Sequence, residues 1–222
     1  RRDIEIITYG ESADYSISHV SLQPTESHAR ITKLGKVLGE ISLTIPGNHN
    51  VENATAALAT AIKLGAPVAD LLVGLNKFSG AKRRFENRGT VGGVTVIDDY
   101  GHHPTEVKVT LETAKRFAGS GRVIAIFQPH RYSRTAMFVE EFAEVLELAD
   151  HTYLLEIYAA SEAAMPGISS ILIANAMKAE SVTFEPSMID VVSYAVSEAK
   201  PGDLIITLGA GDVNLLVPLI LQ

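Results

Sequence analysis

Three runs in the second half of the chain, VTVID (94–98), RVIAIF (122–127) and DLIITLG (203–209), are largely apolar and β-branched. A strand with one wet face alternates apolar and polar residues, whereas a strand covered on both faces has no need to. Between the runs the apolar period lengthens to that of a helix. Val107, Leu111, Ala114 and Phe117 share one face after Pro104, and Phe138, Phe142, Val145 and Leu146 share another in a helix expected from Thr135. HTYLLEIY (151–158) and VTFE (182–185) read as further strands, with helices near 169–179, 187–199 and 212–221. Buried strands alternating with amphipathic helices predict an α/β fold with a mostly parallel sheet covered on both faces.

The first third has a different texture. IEIITYG (4–10), ADYSISHV (13–20), ARITKLG (29–35) and GEISLTIP (39–46) are short, β-branched and separated by polar or Gly positions. A helix follows, with Asn48 as its expected cap, Val51, Ala54, Leu58, Ala61 and Ile62 at helical spacing, and Gly65 as its stop. A second, PVADLLVGLNKF, carries Pro67 in its first turn. A domain boundary is expected near residue 82, dividing 1–82 from 83–222.

The totals exclude several classes of function. A net charge of −7 argues against a nucleic-acid footprint. No run of about 18 apolar residues exists, so no membrane span is expected. The absence of cysteine removes disulfides, thiolate zinc sites and a Cys nucleophile, and is compatible with a reducing cytosol. The chain opens at Arg1 without Met, on what reads as a strand in progress, and is expected to be part of a longer protein.

Ligands of a parallel sheet bind outside the carboxyl ends of its strands. Three polar clusters fall there: DDYGHH after VTVID, QPHRYSR (128–134) after RVIAIF, and GAGD (209–212) after DLIITL. Asp98 or Asp99 suits a ribose diol or a metal-bound water, while Tyr100, His102 and His103 suit binding or orienting a substrate. Glu106, in the first helical turn, need only favour the helix dipole. Arg131 and Arg134 would clamp a carboxylate or phosphate, or form a solvated basic loop. Gly209 to Asp212 would let a backbone approach a ligand, or form a tight turn capped by Asp212.

Two further stretches stand apart. In GNHNVEN (47–53), Asn50 and Asn53 share a helix face and can read a purine edge, or serve a polar first turn. In KRRFE (82–86), Arg84 could reach a phosphate, although a basic linker is the plainer reading. A G-x-x-x-x-G-K-[ST] phosphate cradle is missing, since KLGKVLG (33–39) has Val37 where Ser or Thr is required.

Taken in order, GNHNVENATAA, KRRFE, DDYGHHPTE, FQPHRYSRT, EIYAA and GAGD resemble the Mur ligases of peptidoglycan synthesis, most closely the branch that adds L-alanine to UDP-N-acetylmuramate. The resemblance spans roughly residues 45–222 and implies a Rossmann-like C-terminal domain preceded by the tail of a central ATPase domain. It implies cytoplasmic, ATP-dependent amide formation through an acyl phosphate, with Mg2+ ligands mainly outside this chain and no independent activity. Carried over residue by residue, His49, Asn50 and Asn53 match the adenine-side motif, Arg84 the arginine reaching the nucleotide, and Asp99 the aspartate on its ribose. Tyr100, His102, Arg131 and Arg134 match positions near the new amide, His102 and the two arginines being the expected catalytic residues, and Gly209 to Asp212 would lie near the incoming amino acid. A murein peptide ligase of the same family and a non-catalytic nucleotide-binding or interaction module are the competing readings.

Overall fold

The structure, a computed structural model, describes residues 4–222; Arg1, Arg2 and Asp3, where the opening arginine pair falls, lie outside the described residues. The chain forms two compact units, one ending at Gly80 and one running Ala81–Gln222.

The first unit is a four-stranded sheet ordered β1-β2-β3-β4, built from β1 (Tyr9–Gly10), β2 (Tyr15–Leu22), β3 (Ser27–Lys33) and β4 (Lys36–Leu43). β1 runs parallel to β2, and the other pairs are antiparallel. The strand expected over residues 4–10 is confined to Tyr9 and Gly10. Helix α1 (Asn48–Lys63) buries Val51, Ala54, Thr55, Leu58 and Ala59 on one face, where they join Tyr15, Ile31, Ile41 and Leu43. Asn48 is not its cap. Gly47 holds that position at φ 106°, a conformation that favours glycine, and the Asn48 amide instead donates to Glu52 Oε1 at 2.9 Å. Helix α2 (Val68–Asn76) begins just after Pro67 and has no fully buried residue.

The second unit is a six-stranded sheet ordered β5-β6-β10-β7-β8-β9. Its strands are β5 (Glu86–Val91), β6 (Val94–Asp99), β7 (Val123–Phe127), β8 (His151–Leu154), β9 (Val182–Phe184) and β10 (Leu204–Leu208). All pairs are parallel except β5 with β6, so the sheet is mostly parallel, as the apolar runs predict. β7 and β10 are buried at every residue, because apolar layers cover both faces. One layer gathers Val107 and Leu111 of α3 (Pro104–Ala118) and Phe142 and Leu146 of α5 (Val139–Leu146) over Ile97, Phe127 and Ile206. The opposite layer sets Val191 and Ala195 of α7 (Met188–Glu198) and Val217 and Ile220 of α8 (Val217–Ile220) over Val96, Ile124 and Ile205.

The helix expected from Thr135 is two helices, α4 (Tyr132–Met137) and α5, separated at Phe138, whose φ of −127° interrupts the coil. The expected helix near 169–179 shortens to α6 (Ile171–Ala176), and the last one opens as a 3-10 turn over Val213–Leu216. Among the described residues no helix is long and apolar enough to cross a membrane.

Candidate functional site

Register fixes the site. Leu208 of β10 stands level with Asp99 of β6 on one side and Phe127 of β7 on the other. The three central strands therefore end flush, and DDYGHH, QPHRYSR and GAGD leave the sheet side by side. A fourth segment joins them: Tyr158 N–H donates to Pro129 O and Arg131 N–H to Tyr158 O, each at 2.8 Å.

Both aspartates of DDYGHH are buried. Asp98 is fully buried and accepts from Arg83 Nε at 3.2 Å and Thr207 Oγ1 at 2.7 Å. Asp99, 4% exposed, accepts Phe85 N–H and Gly101 N–H at 2.7 Å each and Thr110 Oγ1 at 3.2 Å. Burial pushes the Asp99 carboxyl above its ordinary value, against the pull of the Phe85 and Gly101 amides. Glu106 does more than favour a dipole. It accepts His102 N–H at 3.1 Å and His103 N–H at 3.3 Å; burial would raise its carboxyl, but those amides with the nearby His102 and Arg84 charges hold it below the ordinary value. His103 is the N-cap of α3, its Nδ1 accepting Thr105 N–H at 3.3 Å and its ring set edge-on against Phe138. Its side chain serves as a structural cap.

His102 is turned differently. Its Nδ1 lies 3.0 Å from Tyr100 O and 3.4 Å from Glu106 Oε2. Both oxygens can only accept here, so Nδ1 carries a proton, and whenever the ring is neutral the lone pair sits on Nε2. The ring meets Tyr100 edge-on at 5.2 Å and His130 at 5.6 Å.

Arg83 and Arg84 divide the work of KRRFE. Arg83, at a left-handed φ of 56°, reaches inward: beyond Asp98 it donates to Gly209 O at 2.6 Å and Gly211 O at 3.3 Å. One guanidinium thus ties the KRRFE, DDYGHH and GAGD segments together. Arg84 is half exposed and lies over Tyr100 at 5.9 Å, beside Glu106 at 3.7 Å. Its position leaves the guanidinium available to a ligand, whereas the linker reading fails for Arg83.

Arg131 stands at φ 76° and ψ 137°, sparsely populated by any residue but glycine, and its half-exposed side chain lies 4.0 Å from Glu162. Arg134 points to a different partner, donating from Nη1 to His130 Nδ1 at 3.2 Å and His130 O at 3.3 Å. In the GAGD turn, Asp212 holds the N-cap position of the 3-10 turn, but its side chain makes no capping bond. Its carboxylate accepts from Gln128 Nε2 at 2.7 Å, while Gln128 Oε1 takes Val213 N–H at 3.2 Å. Arg83, Gln128 and His130 were not legible as site residues, since one reads as linker and the others as loop.

In the first unit, Asn50 and Asn53 border a hollow of about 290 Å³ whose remaining walls include Leu43, Ile45, Leu75 and Phe78. Asn50 is committed to Pro46 O at 2.7 Å, Asn53 is exposed, and His49 is half-buried beside them in the first turn of α1. An apolar slot with amides on its edge fits a purine base. Among the described residues, no group of three or more His, Asp or Glu is placed to hold a metal ion.

Comparison with known proteins agrees with this arrangement. Residues 83–211 match the family described as Mur ligase, glutamate ligase domain. Over its whole length the chain is 44% identical to the UDP-N-acetylmuramate–L-alanine ligase of Acidothermus cellulolyticus and 42% identical to that of Kineococcus radiotolerans, covering 48% and 47% of those proteins. The chain therefore spans about half the length of the curated relatives it matches. Among solved structures it is similar to the UDP-N-acetylmuramate-alanine ligase of Thermotoga maritima, with a TM-score of 0.80 and 29% identity over 96% of this chain and 46% of that one. It is also similar to a murein peptide ligase of Psychrobacter arcticus, with a TM-score of 0.70 and 27% identity over 95% of this chain and 44% of that one. With a flush-ended parallel sheet, three converging polar loops and a family match over most of the second unit, the chain belongs to the Mur ligase family.

Proposed function

We propose that this chain supplies the carboxyl-terminal part of a cytoplasmic, ATP-dependent ligase that joins L-alanine to UDP-N-acetylmuramate in peptidoglycan synthesis. The observation that carries the reading is the alignment of Arg84, Tyr100, His102 and His130 along one edge of the sheet, in a chain whose relatives bear that ligase name. In this reading residues 1–82 end the central ATP-binding domain and residues 83–222 form the glutamate ligase domain.

ATP supplies the γ-phosphoryl group that activates the muramate carboxylate as an acyl phosphate, which the amine of alanine then attacks. Asn50 and Asn53 would edge the adenine, with His49 beside it, and Arg84 would meet the phosphates. Asp99 is assigned to the ribose by resemblance, and its 4% exposure leaves only an edge of the carboxylate for that contact. Mg2+ belongs to the same reading, but the described residues do not fit it, so no step is derived through it. His102 presents its Nε2 and is suited to take a proton from the alanine ammonium, freeing the amine to attack the acyl phosphate and expel phosphate, with Glu106 behind it to favour the charged ring. Arg131 and Arg134 offset the negative charge that builds on the reacting carboxyl carbon's oxygens, while Tyr100 and the Gly209–Asp212 turn line the amino-acid side.

The test is phosphate release by the complete protein containing this sequence, given UDP-N-acetylmuramate, L-alanine, ATP and Mg2+. L-alanine-dependent release, reduced at least a hundredfold in kcat/KM by Arg131→Ala or Arg134→Ala with folding intact, supports the reading. Release with a murein tripeptide but not with alanine moves it to the peptide ligase of the same family.

A further inference from the structure

His130 has a place in the site but no assigned chemical task, yet three side chains converge on it. Its ring stacks on Tyr158 with centroids 5.7 Å apart and planes 13° from parallel. Behind Tyr158 sits Gly211, where an added Cβ would come within 2.7 Å of Tyr158 Cγ. His102 lies tilted against the same ring, with centroids 5.6 Å apart. The third group is Arg134, bound to Nδ1.

We propose that His130 is a positioning residue for the ligation chemistry: held flat by Tyr158, it uses an unprotonated Nδ1 to fix the Arg134 guanidinium. A guanidinium only donates, so the bond at 3.2 Å requires a lone pair on Nδ1 and places the ring proton on Nε2. The backbone carbonyl of the same residue takes the same guanidinium nitrogen at 3.3 Å, so Arg134 is gripped by both ends of His130. Protonating Nδ1 would set donor against donor and release the arginine. The environment resists this. Burial lowers the His130 imidazole below its ordinary value, His102, Arg134 and Arg131 add to the effect, and Glu162 opposes it. Arg131 and Arg134 come from the segment of α4, His102 from the loop after β6, and Tyr158 and Glu162 from the segment after β8.

The inference rests on the ligase reading for its functional consequence, and the experiment separates the two. Nitrogen-detected NMR of ring-labelled histidine in the folded chain should give His130 as the Nε2–H tautomer, titrating below an ordinary histidine. Arg134→Gln should raise that titration point. In the complete protein, His130→Phe keeps the stack and loses the acceptor; kcat/KM should fall on the order of tenfold to a hundredfold. His130→Asn restores an acceptor without a titrating ring; it should recover most of that loss and abolish the acidic limb of the kcat/KM profile attributable to His130. An Nδ1–H tautomer, a titration point unmoved by Arg134→Gln, or an acidic limb in His130→Asn superimposable on that of the wild type would overturn the proposal. If the wild type ligated no muramate substrate, the functional reading would fall, and the tautomer and titration would still decide the His130–Arg134 pair.

Discussion

Removing Arg83 should damage the second unit more than removing any other cation on its surface. Its side chain is 21% exposed, and its partner Asp98 is fully buried. Arg83→Met leaves that carboxylate with the Thr207 hydroxyl as its remaining side-chain partner and strips donors from Gly209 O and Gly211 O. Breaking a buried ion pair from one side costs about 3–5 kcal/mol, because the surviving charge stays desolvated. Native-state hydrogen exchange isolates the effect, since the amides of β6 and β10 report the opening of this sheet. Exchange at Ile97 and Ile206 should accelerate by about 10²- to 10⁴-fold, at roughly tenfold per 1.4 kcal/mol. Arg83→Met with Asp98→Asn removes both charges and should be less destabilised than Arg83→Met alone. Exchange within about threefold of wild type in the single variant, or a double variant worse than the sum of its parts, would refute the reasoning.

Further expectations concern the turn, the pH response and the purine slot. Gly211→Ala drives a methyl into Tyr158 and Gln128 Oε1, so kcat/KM of the complete protein should fall at least tenfold while stability, read by urea midpoint, changes by about 1–2 kcal/mol. The Asp203 carboxyl is held below its ordinary value; burial would raise it, but the Arg122 guanidinium and the Arg122 and Lys200 amides outweigh that. Its folded value is depressed, so its contribution is present above the unfolded value and lost as pH falls through the folded one. Asp203→Asn should therefore cost about 1–2 kcal/mol at neutral pH, allowing for the part-exposed Arg122, and nothing at acid pH, read from urea midpoints across that range. Asn53→Ala should weaken adenine-nucleotide binding to the complete protein about tenfold by calorimetry, with α1 intact, whereas unchanged affinity would remove that side chain from the purine edge.

The parts of the fold visible in the sequence are those where burial alone dictates residue type. β7 and β10 are apolar throughout because they are covered on both faces, and α3 announces itself by Pro104 and its apolar stripe. β5 was not visible. ENRGTV is an exposed antiparallel edge with a register shift between Asn87 and Gly89, so neither burial nor alternation marks it. The break at Phe138 was hidden because apolar spacing runs straight through it, and only the backbone angle there divides α4 from α5. The site shows the same division. Residue density singled out DDYGHH, but not which of its members face inward. The capping role of His103 was masked by its residue type, since caps are usually Ser, Thr, Asp or Asn. Arg83 and Arg84 are adjacent and chemically identical, and only a left-handed backbone at Arg83 sends one inward to Asp98 while the other stays at the surface.

The strand order carries a consequence for how the protein is made. β10, the last strand along the chain, lies between β6 and β7 at the middle of the sheet. During synthesis β6 and β7 emerge long before the strand that separates them, and each must wait with a hydrogen-bonding edge unpaired. A ribosome that stalls before Leu204 would leave a product lacking its keystone, with Asp99 and Phe127 no longer held in register through Leu208. The polar loops assemble only when that strand slots in, so a truncated translation product would be both unfinished as a sheet and blank as a site. Synthesis of β10 is thereby the step at which the sheet and its three polar loops first come together.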